Sequence, residues 1–310
     1  MHPPVILVDM PIWWETGVLP RNIFQRLYYL CPHCKIKALH VKVRSICTRL
    51  NHNMPGIFGT FRKQYEPGNI FKMKIGLIGY GKMGKEIEKI AIERGHDIPL
   101  IIDINNSTDL SRENLRICDA IIEFTMPTSA IDNYLKCFEA GVPVVSGTTG
   151  WLDKLGYVHE QCRKFDGTFF YASNFSIGVN LFFELNRHLS SLMAPHRQYK
   201  PRMKEIHHIH KLDAPSGTAI SLAEDIIGNM PELNGWSLDE NPAFDQLPIE
   251  AERTGEVPGT HIITWESNVD TIEISHVANS RKGFALGAVI AAEYCLTHKG
   301  ILNMKDLLKF

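Results

Sequence analysis

The chain has 310 residues, of which 44% are apolar and 22% are charged, as in an ordinary soluble globular protein of about two domains. No run of 18 or more apolar residues predicts a membrane span, and no basic stripe predicts nucleic-acid binding. Seven cysteines without the spacing of a disulfide framework favour a reducing compartment, so we expect a cytoplasmic protein.

Residues 1 to 72 differ in charge from the rest, with ten Lys/Arg against three Asp/Glu, whereas the remainder has 23 against 31. We expect a poorly structured leader that the folded protein does not need, because Met73 opens directly onto an apolar run. The basic, acid-poor balance also fits an organelle transit peptide, although serine is scarce. The CxxC from Cys31 to Cys34 leaves zinc or redox chemistry open, but a lone CxxC is weak evidence for either.

A nucleotide-binding motif follows Met73 in "MKIGLIGYGKMGKEIEKIAIERG", where an apolar run, a GxGxxG turn and a helical pattern come in that order. The first glycine permits the tight turn, the second lets the backbone approach a pyrophosphate, and the third lets helix and strand pack closely. The free N–H groups at the helix start attract the phosphates. The predicted contacts are Gly79, Tyr80, Gly81, Lys82, Met83 and Gly84.

The second predicted strand, "IPLIIDI", ends at Asp103, nineteen residues beyond Gly84. An acidic residue at this position typically binds the adenosine ribose hydroxyls and repels a 2′-phosphate. Ile104 supplies no compensating arginine, so NADH is expected to be preferred, while Lys82 and Lys85 leave the use of NADPH open. The alternative is an ordinary strand-end carboxylate in a turn with Asn105 and Asn106.

Three further strands are predicted in "DAIIEFT", "VPVVSGTTG" and "TFFYASNF", with a helix between the first two. This alternation predicts an α/β fold with a Rossmann-like, doubly wound parallel sheet. Ligands bind such sheets at the carboxyl ends of the strands, where short polar loops fall here. The candidate cofactor contacts in these loops are Thr125, Gly147, Thr148, Thr149, Ala172, Ser173, Asn174 and Phe175.

From Ile177 the pattern changes to that of an inserted α+β domain. A helix is followed by the strand-like "MKEIHHIH", a second helix "PSGTAISLAEDIIGNM", strands in "HIITWES" and "DTIEISHVA", and a last helix "GFALGAVIAAEYCL". Residues 231 to 250, with three prolines, are predicted to form a surface loop.

The stretch "EIHHIHKLDAPSGTA" concentrates histidines, a lysine and a helix start within fifteen residues. Ser216 fits an N-cap, which would leave the amides of Gly217 and Thr218 free for an anion. Lys211 and the histidines can add positive charge or a proton. Metal binding by His207, His208 and His210 is an alternative, but no cysteine or carboxylate cluster completes a coordination shell locally, so no metal is expected. A purely structural histidine cluster is the other alternative.

These residues resemble the signature of the dihydrodipicolinate reductase family, also called 4-hydroxy-tetrahydrodipicolinate reductases. The resemblance extends over residues 73 to 310 through "GYGKMG", "EFT", "SGTTG", "ASNFSIGVN", "RTGEVPGTH" and "ISHVANSR". It implies reduction of a cyclic dicarboxylate by a nicotinamide cofactor. By the same resemblance His207 and Lys211 are the catalytic acid pair, and the carboxylates are held by His208, Ser216, Gly217 and Thr218.

The resemblance also implies a domain organisation. The dinucleotide-binding domain comprises residues 73 to 176 and 279 to 310, and residues 177 to 278 form the substrate-binding and oligomerisation domain of a homotetramer. Family members often carry basic residues where this chain has Ile104 and Met126, which weakens any preference for NADPH. Two other functions remain open: a dinucleotide sensor without turnover, and another dehydrogenase of small amino or keto acids.

Overall fold

The computed structural model describes residues 72–239 and 241–310. The predicted leader, with its CxxC, lies outside the described residues apart from Lys72. No described helix combines the length and the apolar character needed to cross a membrane.

A six-stranded parallel sheet forms the first part of the described chain. Its strand order is β11-β5-β4-β3-β1-β2, in which β11 (Gly300–Leu302) comes from the end of the chain, and every neighbouring pair is parallel. The elements up to the fifth strand are β1 Lys74–Ile78, α1 Lys82–Glu93, β2 Asp97–Ile102, α2 Arg112–Leu115, β3 Ala120–Glu123, α3 Pro127–Ala140, β4 Val144–Ser146, α4 Leu155–Lys164 and β5 Thr168–Tyr171.

Helices cover both faces of this sheet, which explains why its strands are apolar runs rather than alternating patterns. On one face, Ile87 and Ile90 of α1 pack in a core that also contains residues of a later helix, α7 (Lys282–Cys295). On the other face, Tyr134 and Phe138 of α3 pack with Cys162 of α4. The doubly wound α/β fold predicted from the sequence is confirmed.

The second sheet is mixed and has five strands in the order β10-β9-β6-β8-β7. Its helices and strands are α5 Ile177–Met193, β6 Lys200–His207, α6 Gly217–Ile227, β7 Gly235–Ser237, β8 Gln246–Arg253, β9 Thr260–Glu266 and β10 Thr271–Val277. The predicted surface loop over residues 231 to 250 is wrong, because β7 and the start of β8 lie there. Pro248 lies in β8 and pairs with Ser237 of the short edge strand β7, so the proline did not prevent strand pairing there.

Within the described part of the chain, helices cover one face of the second sheet. Leu222 and Ile226 of α6 and Phe182 of α5 pack with Met203, Ile263 and Trp265 of the sheet. The opposite face carries charged and polar side chains around a shallow cavity of about 550 Å³. These side chains include Arg202, Lys204, Glu250, Thr264, Glu266 and Glu273.

The end of the chain joins the first sheet. After α7, the short strand β11 (Gly300–Leu302) pairs with β5, and α8 (Met304–Leu308) follows it. Glu293 on α7 accepts hydrogen bonds from Arg94 at 2.7 and 2.8 Å and lies 2.8 Å from Nε2 of His96. This partly buried ion-pair group joins α7 to the segment between α1 and β2.

Candidate active site

The glycine-rich turn lies at the carboxyl end of β1 and leads into α1. Gly79 has φ +91°, and a Cβ there would lie 2.1 Å from the carbonyl oxygen of Phe124. A Cβ on Gly84 would lie 2.3 Å from the oxygen of Gly79, so these two positions need glycine. Gly81, the N-cap of α1, faces open space and no side chain caps the helix. The backbone of this turn therefore fits the approach of a pyrophosphate.

Asp103 follows β2 directly, beside the same turn. The amide of Gly79 donates to the carbonyl of Ile102 at 2.8 Å, which holds the ends of β1 and β2 together. The amide of Asp103 donates to Oδ1 of Asn106 at 2.7 Å, and the Asp103 side chain is partly exposed. Its carboxylate is thus available at the edge of the sheet where an adenosine ribose is expected.

A buried carboxylate organises the loops after β3 and β4. Glu123, at the end of β3, is fully buried and accepts hydrogen bonds from Ser146 and Thr148, each at 2.9 Å, and from the hydroxyl of Thr125. The amide of Thr125 donates to Thr148 Oγ1 at 2.8 Å. Burial raises the pKa of Glu123, while these hydrogen bonds oppose the shift. The side chains of Thr125 and Thr148 therefore hold the two loops together.

The third predicted cofactor loop, after β5, is partly built into the core. Ala172 and Phe175 are buried, and Phe175 packs against Phe124 with ring centroids 5.8 Å apart. Asn174 accepts a hydrogen bond from the amide of Ser176 at 2.9 Å, and Ser173 is exposed. Because these strands are parallel, all the predicted cofactor loops lie at the carboxyl ends of the strands of the first sheet.

The second sheet brings charged side chains together around His207. In the strand register, Glu205 of β6 lies opposite His261 of β9, and His207 lies opposite Arg253 of β8. With Ser216 these residues form a buried group that we call the Glu205 cluster. Only Glu205 and His207 are close in sequence, so strand pairing creates the group.

Glu205 is the fully buried centre of this cluster. Its carboxylate accepts from the amide of Ser216 at 3.0 and 3.2 Å and from Arg253 Nη2 at 2.9 Å. Nδ1 of His207 lies 3.3 Å from Glu205 Oε2, although the two atoms lack the geometry of an ordinary hydrogen bond. Burial alone would raise the pKa of Glu205, but the nearby His207 ring and hydrogen bonds from Ser216 and Arg253 outweigh it and hold the pKa at about 2.

His261 is also buried, but burial keeps it uncharged, whereas Glu205 is ionised. Burial, reinforced by the neighbouring His207, lowers the pKa of His261 to about 4, so its ring is neutral near pH 7. Its Nε2 lies 3.3 Å from the hydroxyl of Ser216 and 3.8 Å from Glu205 Oε2.

The predicted helix start at Ser216 is confirmed. Ser216 is the N-cap of α6, and its hydroxyl accepts from the amide of Ala219 at 3.2 Å. Ser216 is only 2% exposed and both of its polar groups are used internally, so its side chain shapes the helix start. Gly217 is exposed, Thr218 is half-buried, and a Cβ on Gly217 would meet nothing within 4 Å. An anion therefore has open access to the start of this helix.

Arg253 holds the loop between His207 and Ser216. Its guanidinium donates to the carbonyls of Lys211 and Asp213 at 3.4 and 2.6 Å. Lys211 Nζ binds both oxygens of Asp213, at 2.8 and 2.9 Å, and this hydrogen bond lowers the pKa of Asp213. Lys211 is thus placed at the edge of the cluster, paired with an exposed carboxylate that a ligand could replace.

Basic residues of α1 and of the α7 start line one cavity of about 450 Å³. It contains His208, whose Nδ1 is buried without a hydrogen-bond partner. Its basic side chains are Lys82, Lys85, Lys89, Arg281 and Lys282, while Glu86 and Glu256 are acidic. This excess of cations favours anionic ligands between the α1 start and the His208 segment.

A metal centre in the Glu205 cluster must be weighed, because ligand atoms of Glu205, His207 and His261 lie within 4.8 Å of one another. This set differs from the histidine triplet considered from the sequence. The Arg253 guanidinium lies 2.9 Å from Glu205 and would repel a cation, and the Ser216 amide already donates to both carboxylate oxygens. We therefore interpret the group as a hydrogen-bonded network.

Sequence reasoning missed Glu205, Arg253, His261 and Glu123. A signal was present for Glu205, because the buried positions of β6 alternate and Glu205 shares its face with Met203 and His207. A charged residue on the apolar face of a strand needs a buried partner. The partners themselves depend on the register of β8 and β9, which no local pattern contains.

The parallel sheet and its glycine turn are those of NAD(P)H-dependent oxidoreductases of the Rossmann type. Family models for the N-terminus and the C-terminus of dihydrodipicolinate reductase match residues 73–175 and 178–308. A 4-hydroxy-tetrahydrodipicolinate reductase of Christiangramia forsetii is 50% identical over 238 residues, covering 76% of this chain and 98% of the relative. The chain therefore belongs to the dihydrodipicolinate reductase family.

More distant relatives agree with this assignment. A reductase of the same name from Methanopyrus kandleri is 32% identical over 257 residues, covering 74% of this chain and 93% of the relative. A solved structure of a dipicolinate-bound dihydrodipicolinate reductase from Paenisporosarcina sp. TG-14 is similar to this chain, with a TM-score of 0.62 at 22% identity. It covers 76% of this chain and 99% of that chain, and it shows the same fold.

The lowered pKa of His261 predicts how stability depends on pH. With a folded pKa of about 4 and an unfolded value of about 6.5, the unfolded chain binds more protons between these limits, so stability falls as pH drops. Between pH 7 and pH 5 the wild type should lose about 2 kcal/mol more than His261→Asn. Urea unfolding at both pH values and one protein concentration measures this. The exposed His196→Asn serves as control, and an equal loss in wild type and His261→Asn would contradict the prediction.

Proposed function

We propose that the chain reduces 4-hydroxy-tetrahydrodipicolinate, through dihydrodipicolinate, to tetrahydrodipicolinate with NAD(P)H in the diaminopimelate and lysine pathway. The observation that carries this proposal is the convergence of His207, Lys211 and the open start of α6 at one end of the second sheet. A proton donor beside an anion site suits reduction of a dicarboxylate. The 50% identical relative of that name supports the same reaction.

The cofactor site is proposed on residues 73 to 176 with 279 to 310. The turn from Gly79 to Gly84 would hold the pyrophosphate, Asp103 the adenosine ribose, and the loops at Thr125, Gly147–Thr149 and Ala172–Phe175 the nicotinamide end. When bound, the cofactor supplies a hydride. We propose that NADH is preferred, because Asp103 repels a 2′-phosphate and Ile104 adds no positive charge. The basic side chains of the cavity can still attract a 2′-phosphate, so the use of NADPH stays open.

The substrate site is proposed on residues 177 to 278. Gly217 and Thr218 would bind one carboxylate through the helix start, which Ser216 caps, and His208 would add a second contact. Lys211 would leave Asp213 for a substrate carboxylate and deliver a proton to the carbon next to the reduced position. His207 would tune or relay that proton. General acid help of this kind is worth roughly 10²–10⁴-fold in rate.

We further propose that the chain forms a homotetramer in the cytoplasm. The uncovered face of the second sheet mixes charges of both signs, such as Arg202 beside Glu266 at 3.6 Å and Lys204 beside Glu250 at 2.7 Å. Such a face can pair with a copy of itself about a twofold axis. The four cysteines of the described residues are free and buried, as suits a reducing compartment.

The reaction itself is tested by NADH oxidation with freshly generated 4-hydroxy-tetrahydrodipicolinate. Turnover is expected from the wild type, and its absence would favour a dinucleotide sensor. Lys211→Ala and His207→Ala should each lower kcat by about 10²-fold or more, because the proton donor is lost. Their affinity for NADH, measured by fluorescence titration, should stay within about twofold of wild type. Lys299→Ala, an exposed lysine elsewhere, is the matched control, and wild-type turnover in either site variant would remove that residue from the mechanism.

The cofactor preference is tested at Asp103. Asp103→Ser removes the charge that opposes a 2′-phosphate, so the ratio of kcat/KM for NADH to that for NADPH should fall by about tenfold, equivalent to 1.4 kcal/mol. Asp109→Ser is the control, because Asp109 is a neighbouring exposed carboxylate that binds Asn106 at 3.0 Å. An unchanged ratio in Asp103→Ser would show that Asp103 does not select the cofactor.

The oligomeric state is tested by sedimentation equilibrium of the full chain. A mass four times that of one chain is expected. Ile262→Asp, in the uncovered sheet face, should lower that mass, since it adds an unpaired charge to the paired surface. A monomer, or a tetramer that is insensitive to this substitution, would contradict the proposed surface.

A further inference from the structure

The Glu205 carboxylate lies directly behind the proposed acid His207, on the same buried face of β6. Its donors are the amide of Ser216, at the start of the proposed carboxylate site, and the guanidinium of Arg253, which also holds the Lys211 loop. A buried carboxylate with two such donors stays ionised. Glu205 is therefore a fixed negative charge at the back of the site.

The position of His207 relative to this charge determines which ring nitrogen carries hydrogen. Nδ1 lies 3.3 Å from Glu205 Oε2, within reach of a hydrogen bond but without its alignment. Catalytic hydrogen bonds are often poorly aligned before substrate binds. A bare Nδ1 lone pair would be repelled by the carboxylate, so Nδ1 carries a hydrogen and Nε2 is the atom left for proton transfer.

His261 does not compete for this role. Its Nε2 is 3.8 Å from Glu205 Oε2, too far for a hydrogen bond, and lies 3.3 Å from the Ser216 hydroxyl, which can donate to it. Its lowered pKa keeps it neutral. His207 is thus the ring on which the carboxylate acts.

The space around His207 Nε2 fits the same role. A Cβ on Gly259, in the loop before β9, would lie 3.1 Å from this nitrogen. Gly259 also has φ +155°, a conformation that other residues rarely adopt. The glycine therefore places no side chain of its own against the Nε2 edge of the ring.

We propose that Glu205 is a positioning residue for proton transfer: it holds His207 with hydrogen on Nδ1, stabilises the protonated ring and reserves Nε2 for the transferred proton. Arg253 keeps the carboxylate in place. Because Glu205 acts through His207, this role rests on the proposed function.

Glu205→Gln tests the role with little change of shape. The amide can donate to Nδ1 of His207, which reverses the tautomer and places the hydrogen on Nε2 of the neutral ring. We expect kcat to fall by about 10- to 100-fold, a part of the 10²–10⁴-fold that general acid catalysis contributes, with KM for NADH within about twofold. Glu293→Gln is the matched control, because Glu293 also binds an arginine and a histidine, far along the chain from the site. It should keep wild-type kcat.

The split between kcat and KM separates positioning from a structural role. If Glu205 only supported the helix start through Ser216, the variant would show a higher KM for substrate and an unchanged kcat, which would overturn the proposal.

Neutron diffraction from perdeuterated wild-type crystals gives a readout that needs no variant and no turnover. Deuterium on Nδ1 of His207, directed at Glu205, is expected, and a bare Nδ1 would overturn the proposal even if the wild type is active. Absence of wild-type turnover, with Nδ1 deuterated, would instead contradict the proposed function alone.

Discussion

The ion pair between Glu205 and Arg253 is the constraint on which the second half of the site depends. Burying a lone carboxylate is costly, and breaking a buried pair typically costs on the order of 3–5 kcal/mol. Here the carboxylate is satisfied by three parts of the chain: the amide of Ser216, the guanidinium of Arg253 and the ring of His207. The same pair thus joins the helix start, the loop that carries Lys211 and the end of β6.

In the first sheet a buried carboxylate also holds loops together, but its hydrogen-bond donors are neutral. Glu123, buried at the end of β3, accepts from hydroxyls that belong to the loops after β3 and β4. In both halves a carboxylate inside the fold orients the loops at a strand end, while the proposed ligand contacts are other groups of those loops. The proposal therefore assigns stability and ligand binding to different atoms of the same segments.

The sequence was sufficient where chemistry is local. The glycine turn, the alternation of strands and helices and the Ser216 cap each depend on a few consecutive residues, and the structure has them as predicted. It was insufficient where partners come from distant strands. His261 and Arg253 reach Glu205 only because β9 runs antiparallel and β8 parallel to β6. The strands β7 and β8 were missed because a proline-rich, polar segment resembles a loop until its pairing is known.

We propose that one ring-shaped dicarboxylate binds between the α6 start and the His207–Lys211 edge. A crystal structure of the full chain with NADH and dipicolinate, the ligand named in the structure from Paenisporosarcina sp. TG-14, tests it most directly. We predict one carboxylate on the amides of Gly217 and Thr218, with Lys211 released from Asp213 and turned towards the ligand. A dicarboxylate bound elsewhere, with the Lys211–Asp213 pair intact, would contradict this substrate site.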